Sequence, residues 1–175
     1  MTSSEGMMMT LLTPIQRWDY AFSERCLCHR FNEQVAQISR AVSHTGDGHL
    51  YVLFALLIVW LDQAQGKTVL TTGLWAFALE LPIYLILKNS VKRARPATLP
   101  SFIQPSDQYS LPSGHTAAAF VMASLLTAFY PDTAWFIWPW AIAIGFSRVL
   151  LGVHYITDIV AGAALGLACF ALVSG

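Results

Sequence analysis

Leu111-Pro112-Ser113-Gly114-His115-Thr116-Ala117-Ala118-Ala119-Phe120-Val121 carries a Pro–Gly turn straight into an apolar helix, with a serine and a histidine at its mouth. The first turn of a helix has unpaired N–H groups and a partial positive charge, so it suits anions, phosphate above all. Two more polar islands interrupt the apolar sequence. One is Lys88-Asn89-Ser90-Val91-Lys92-Arg93-Ala94-Arg95-Pro96, and the other is Ser147-Arg148-Val149-Leu150-Leu151-Gly152-Val153-His154-Tyr155-Ile156-Thr157-Asp158. Each stands where an apolar run begins or ends. Together they read as one phosphate site at a membrane surface.

Working outward from residue 116, the apolar runs set the fold class. Residues 116–130 form one run, 131–133 a turn, and 134–146 the core of the next. Residues 156–173 form the last, where Gly162 and Gly166 give a small-xxx-small face for close helix packing. Upstream, residues 69–87 are a span that contains Glu80 and Pro82, and 62–67 are a tight polar loop. The first run, 50–61, is short of the roughly 20 residues that cross a bilayer, so it is expected to extend backwards through the turn at 43–49. That turn, Ser43-His44-Thr45-Gly46-Asp47-Gly48-His49, reads as ordinary turn and helix-start chemistry. Trp135, Trp138 and Trp140 read as an interfacial belt. The expectation is an all-α integral membrane helical bundle of about five transmembrane helices. An amphipathic interfacial segment, residues 1–43, precedes the transmembrane domain at 44–175, with Trp18 and Tyr20 at headgroup level.

Composition agrees. The 175-residue chain is 55% hydrophobic and 11% charged, with a mean hydropathy of +0.53. Soluble domains carry about 25% charged residues. A formal net charge of zero argues against a nucleic-acid binder. Residues 1–10 show no basic start and no long apolar core, so the first span is expected to serve as the insertion signal. Three cysteines give no disulfide framework. Cys26-Leu27-Cys28-His29 lacks the second half of a metal site, and no metal or cofactor is expected.

Five spans put residues 1–48, 88–115 and 147–155 on one side of the membrane, which brings all three polar islands together. Of the ten Lys and Arg residues, only Lys67 falls on the other side. The positive-inside tendency would then turn the site toward the cytoplasm.

Lys88 and Arg95 are seven residues apart and share a face if the helix runs that far. They offer a mobile cation and a planar fork of donors to phosphate oxygens. Lys92 and Arg93 read as membrane-flanking cations that meet lipid headgroups. His154 and Asp158 are spaced i, i+4, which sets a carboxylate against one imidazole nitrogen and leaves the other free to attack. Arg148 precedes them. His115 has no sequence-local carboxylate and suits a proton donor to a leaving oxygen. Glu80, in mid-span, reads as a packing residue.

The pattern Lys88-x6-Arg95-Pro96, Pro112-Ser113-Gly114-His115 and Ser147-Arg148-x5-His154-x3-Asp158 resembles the three-part signature of the type 2 phosphatidic acid phosphatase superfamily. All three parts match without substitution and in order. The resemblance implies a metal-independent mechanism. His154 would attack phosphorus to form a phosphohistidine, oriented by Asp158. His115 would protonate the leaving group, and Lys88, Arg95, Ser113, Gly114 and Arg148 would hold the phosphate. Membrane members of the family usually have six spans, and here the first is missing or replaced by the amphipathic 11–40 segment.

The resemblance implies a lipid phosphate or polyprenyl pyrophosphate as substrate, and residues 97–111, with Phe102, Ile103 and Tyr109, read as a lid that shapes the headgroup pocket. It also implies a multi-pass protein of the inner (cytoplasmic) membrane with an outward-facing site, against the charge distribution. Two alternatives stand beside this reading. A vanadate-dependent haloperoxidase shares the anion cradle, but the apolar spans oppose it. A non-enzymatic scaffold or lipid-binding protein with an anion pocket has no need of two histidines.

Overall fold

The computed structural model describes residues 13–175. The signal-peptide reading of residues 1–10 lies outside them. The described residues form seven α-helices and a single 3₁₀ turn, with no strand. The helices are α1 (Pro14–Leu27), α2 (Asn32–His44), α3 (Gly48–Leu61), α4 (Gly66–Val91), α5 (Gly114–Phe129), α6 (Ala134–Leu150) and α7 (Ile156–Ser174), and the 3₁₀ turn is Pro131–Thr133.

The quoted stretch becomes the centre of the bundle. α5 packs against α4, α6 and α7, and half of its sixteen residues are buried. Small side chains permit this: Ala117, Ala119 and Ala123 are fully buried among neighbouring helices. On α7, a Cβ at Gly162 would strike the Ser113 carbonyl, and one at Gly166 the Ala117 carbonyl, so α5 and α7 touch backbone to backbone.

α3 is apolar on both faces. On α3 only Tyr51 is buried, while Val52, Leu53, Phe54, Leu56, Trp60 and Leu61 point outward. In water such exposure would be costly, whereas in hydrocarbon it is the expected surface. α4, α7 and the segment Pro131–Leu150 are long and apolar enough to cross a membrane. α2 and α3 form a further candidate as one pair bent by 44°, and α5 is a shorter apolar helix. The glycine turn thus joins two helices at a bend rather than continuing one straight span. The chain is a multi-pass, all-helical membrane protein.

Two local expectations change. α4 runs through Pro82 and ends at Val91, with Lys92 in the left-handed conformation at φ 50°. Lys88 and Arg95 therefore do not share a helix face, because Arg95 lies in the following loop. The three tryptophans do not form one belt either. Trp135 is exposed, Trp138 stacks edge-on to Phe120 at 5.7 Å, and Trp140 turns inward to donate to Thr45 Oγ1 at 2.9 Å.

α1 begins with a capping box formed by Thr13 and Gln16, and with Pro14 at its first position. It exposes Ile15 and Trp18 while burying Asp19, Ser23 and Leu27, the face set against α6 and α7. At the end of the bundle away from the polar islands, the α3–α4 loop meets the end of α5, where Tyr130 donates to Asp62 at 2.8 Å.

Candidate active site

The loops after α4 and α6, the start of α5, and the α2–α3 bend meet at one end of the bundle. Lys88, in the last turn of α4, is buried, and its Nζ donates to Asp107 Oδ2 at 2.7 Å and to the Tyr84 hydroxyl at 2.6 Å. Arg95 reaches the same carboxylate from the loop, with Nη2 donating to Asp107 Oδ1 at 2.6 Å. Its Nη1 faces His154 Nε2 at 3.5 Å while donating to the Val153 carbonyl. Arg148, buried near the end of α6, donates from Nη1 to Ser43 Oγ at 2.7 Å, and its Nε has no partner among the described residues. Lys88 and Arg95 thus converge despite the helix break, drawn together by a shared anion.

That anion is Asp107, which reading the sequence did not single out. Burial would raise its pKa, but the bonds from Lys88, Tyr84 and Arg95 outweigh burial and hold it down to about 2. The carboxylate therefore bridges the two cations. Tyr84 also escaped notice, since a tyrosine inside an apolar span looks like packing.

Ser113 and Gly114 open α5. Ser113 is fully buried, its N–H donates to the Asp158 carbonyl at 3.0 Å, and its Oγ accepts from Thr116 at 2.9 Å. A Cβ at Gly114 would press on the Tyr84 ring, so glycine lets this helix start sit close to α4. His115 follows on the same turn. Its Nε2 lies 3.2 Å from Asp47 Oδ1, and the other Asp47 oxygen is 2.9 Å from His44 Nδ1. Asp47 is the N-cap residue of α3, yet its side chain caps nothing. The reading of residues 43–49 as turn chemistry alone is corrected: Asp47 is the carboxylate partner that His115 lacks locally. Sixty-eight residues separate the two.

His154 lies in the α6–α7 loop. Burial, countered only in part by Asp158, pulls its pKa down to about 4, so the ring is neutral at pH 7. Its Nδ1 is 3.5 Å from Asp158 Oδ2, a contact too long to satisfy that nitrogen. Nε2 faces Arg95 and the cradle. Asp158, the third residue of α7, accepts from the Tyr155 N–H at 2.8 Å, which fixes it against the helix start. The loop itself is pinned by Gly152 at φ 76°, where a Cβ would collide with the Pro100 carbonyl.

Lys92 is exposed, as a surface cation should be. Arg93 is not a membrane-flanking cation. It is largely buried and bridges Asp158, at 2.7 Å, to Asp19 of α1, at 2.6 Å. Cys26, Cys28 and Cys169 are free thiols. Glu80 is buried in α4 and makes none of the cradle's hydrogen bonds described above.

Two pockets meet at Asp47 and His115. A cavity of about 630 Å³ between α3, α4 and α5 is lined by apolar side chains such as Val52, Leu70, Phe77, Met122 and Leu125, together with Gly114 and His115. A smaller one, about 210 Å³, lies between α2, the 97–111 loop and Arg148 and takes in Ser43, His44 and Gln104. His115 thus lies where the oily recess meets the smaller pocket, and Arg148 lines that smaller pocket.

Known proteins resemble this chain in sequence and fold. The bacitracin transport permease protein BcrC of Bacillus licheniformis is 30% identical over 67% of this chain and 60% of its own length. Phosphatidylglycerophosphatase B of Bacillus subtilis is 32% identical over 58% of this chain and 55% of its own length. The chain thus spans less than two thirds of these two curated relatives. Decaprenylphosphoryl-5-phosphoribose phosphatase of Mycobacterium tuberculosis is 32% identical over 77% of this chain and 76% of its own length. Among solved structures, a transmembrane PAP2 type phosphatidylglycerolphosphate phosphatase from Bacillus subtilis superposes with a TM-score of 0.76 at 25% identity, covering 94% of this chain and 87% of that one. Aquifex aeolicus LpxE shares the fold, with a TM-score of 0.76 at 21% identity. The model of the PAP2 superfamily matches residues 69–174, well over half of the chain and the whole stretch from Lys88 to Asp158. This protein belongs to the PAP2 superfamily.

Proposed function

We propose that the protein is a phosphatase that releases the terminal phosphate of a lipid phosphate or polyprenyl pyrophosphate through a phosphohistidine at His154. The observation that carries this reading is the shared occupancy of Lys88 and Arg95 by an anion, beside a neutral histidine whose Nε2 faces Arg95 at 3.5 Å. The PAP2 relatives named as phosphatases support it.

Substrate phosphate displaces Asp107 from the two cations. Arg148 and the N–H groups at the start of α5 complete the cradle and stabilise charge on the equatorial oxygens in the transition state. Nε2 of His154 attacks phosphorus as the bond to the leaving oxygen breaks, and His115 gives that oxygen a proton. Asp158 steadies the imidazolium that forms. His115, now the base, takes a proton from water. The water oxygen attacks phosphorus, the P–N bond breaks, and inorganic phosphate leaves.

The apolar cavity at His115 supports a lipid substrate, since the leaving group must lie on the proton donor's side. A chain of the leaving alcohol fits that recess while its polar part meets the smaller pocket. Undecaprenyl pyrophosphate, phosphatidic acid and phosphatidylglycerophosphate are the substrates to compare. We assign the protein to the cytoplasmic membrane with the site facing outward. The family resemblance supports this orientation, while the charge count opposes it: with Lys88, Arg93, Arg95 and Arg148 set aside for the site, Arg17, Arg25, Arg30, Arg40 and Lys92 still stand on its side against Lys67 on the other.

The test is phosphate release by detergent-purified protein with excess EDTA, using those three lipids and a His154→Ala control. EDTA-resistant release that the variant abolishes supports the reading. Release that persists in the variant refutes the nucleophile, and no release from any lipid refutes the enzyme.

A further inference from the structure

α1 lies outside the residues matched by the family model, yet one of its side chains reaches the catalytic dyad. Asp19 is completely buried. Its Oδ2 accepts from Arg93 Nη2 at 2.6 Å and from the Thr157 hydroxyl, and its Oδ1 accepts from the Thr157 N–H at 3.2 Å. Arg93 turns its other nitrogen to Asp158 Oδ1 at 2.7 Å and to Thr157 Oγ1 at 2.6 Å, and lies over the Tyr155 ring at 4.5 Å. One guanidinium is thus shared by two buried carboxylates at the N-terminus of α7.

The sharing matters for His154. Asp158 has two oxygens: Oδ1 is held by Arg93, and Oδ2 faces His154 Nδ1 and the Tyr155 N–H. With Asp19 removed, Arg93 is left as a buried cation with one carboxylate, and its planar fork favours two parallel bonds to that partner. Both Asp158 oxygens would turn to the arginine, and Oδ2 would leave the histidine. We propose that Asp19, acting through Arg93 and Thr157, is a positioning residue that keeps Asp158 Oδ2 directed at His154. This rests on the reading of His154 as nucleophile. α1 is then part of the active-site framework, and Arg93 is its link to the dyad.

Asp19→Asn keeps the shape of the side chain and removes its charge, and Thr157→Val removes the bridging hydroxyl at nearly constant volume. Each full-length variant is purified beside wild type and His154→Ala. Steady-state kinetics use a short-chain phosphatidic acid, and inhibition is measured with vanadate and with inorganic phosphate. Vanadate mimics the five-coordinate transition state at the nucleophile, whereas phosphate reports the cradle alone. The expected result for Asp19→Asn is a kcat about 10- to 100-fold lower with KM little changed. Vanadate should weaken in proportion, phosphate inhibition should stay as in wild type, and Thr157→Val should show the same pattern at smaller size.

A merely structural residue would instead lower the amount of active protein and leave both inhibition constants unchanged. That outcome, or wild-type kcat in both variants, overturns the proposal. If Asp19→Asn does not fold, Thr157→Val decides the matter by the same criteria. Activity lost in His154→Ala but kept in Asp19→Asn and Thr157→Val overturns the clamp alone. Activity kept in His154→Ala overturns the nucleophile reading, and the clamp with it.

Discussion

At the scale of single residues, the site is governed by carboxylates that hold cations or histidines in place. Asp107 competes with phosphate for Lys88 and Arg95, so Asp107→Asn should tighten inhibition by inorganic phosphate by about tenfold, roughly 1.4 kcal/mol for one lost competitor charge. Product-inhibition constants measure this, and an unchanged constant would mean that Asp107 does not guard the cradle. His154 makes a second prediction. Its folded pKa of about 4 lies below its ordinary value of 6.5, so between those values the unfolded chain takes up a proton that the folded chain refuses. Stability should therefore fall as pH drops from 6.5 to 4 and gain no further loss from this residue below that. In His154→Gln this contribution should vanish, which thermal melts in detergent across that pH range would show. The low pKa of Asp107 acts in a separate window, losing stability as pH falls from 3.8 toward 2. Lys88, Arg95, Ser113, His115, Arg148, His154 and Asp158 could all be picked out of the sequence, because each lies in a short polar island within an apolar chain. Asp107, Asp47 and the true place of Arg93 could not. The contacts that tie them to the site are made with residues 12 to 74 positions away, and no local spacing encodes such pairings.

At the scale of elements, the site depends on how helices start and end. α5 and α7 present their N-termini to it, and α4 and α6 end in the Lys88 and Arg148 that point to it. The α6–α7 loop can deliver His154 only through the left-handed turn at Gly152. Gly152→Ala combines an unfavourable φ, costing about 1–2 kcal/mol, with a Cβ driven into the Pro100 carbonyl. Its melting temperature should fall by several degrees, with activity falling more steeply as His154 shifts. A melt and a rate like wild type would show that the loop adapts. The seven-residue spacing of Lys88 and Arg95 suggested a continuous helix, whereas α4 stops at Val91. The spacing was still informative: a loop of that length returns Arg95 to within reach of the same carboxylate.

At the scale of the whole molecule, the apolar cavity and the smaller pocket that holds Arg148 meet at His115, and this junction suits a phosphate borne on a hydrocarbon chain. Ala55 lines the cavity at a distance from the cradle. Ala55→Trp should lower kcat/KM for long-chain lipid phosphates at least about tenfold more than for a chainless phosphomonoester. Equal effects on both would place the chain elsewhere. The sequence by itself determined that this protein is a bundle of membrane helices with its polar islands gathered at one end. Hydropathy and the alternation of loops are local, additive properties, and the cost of leaving backbone polar groups unpaired in hydrocarbon permits little else. It also offered the motif residues from which the proposed site is built. Only the tertiary structure decided what holds them: Asp107 between Lys88 and Arg95, Asp47 against His115, and Asp19 and Arg93 behind Asp158. A buried charge must find its counter-charge wherever packing brings one within about 3 Å, and packing joins residues that the chain keeps far apart.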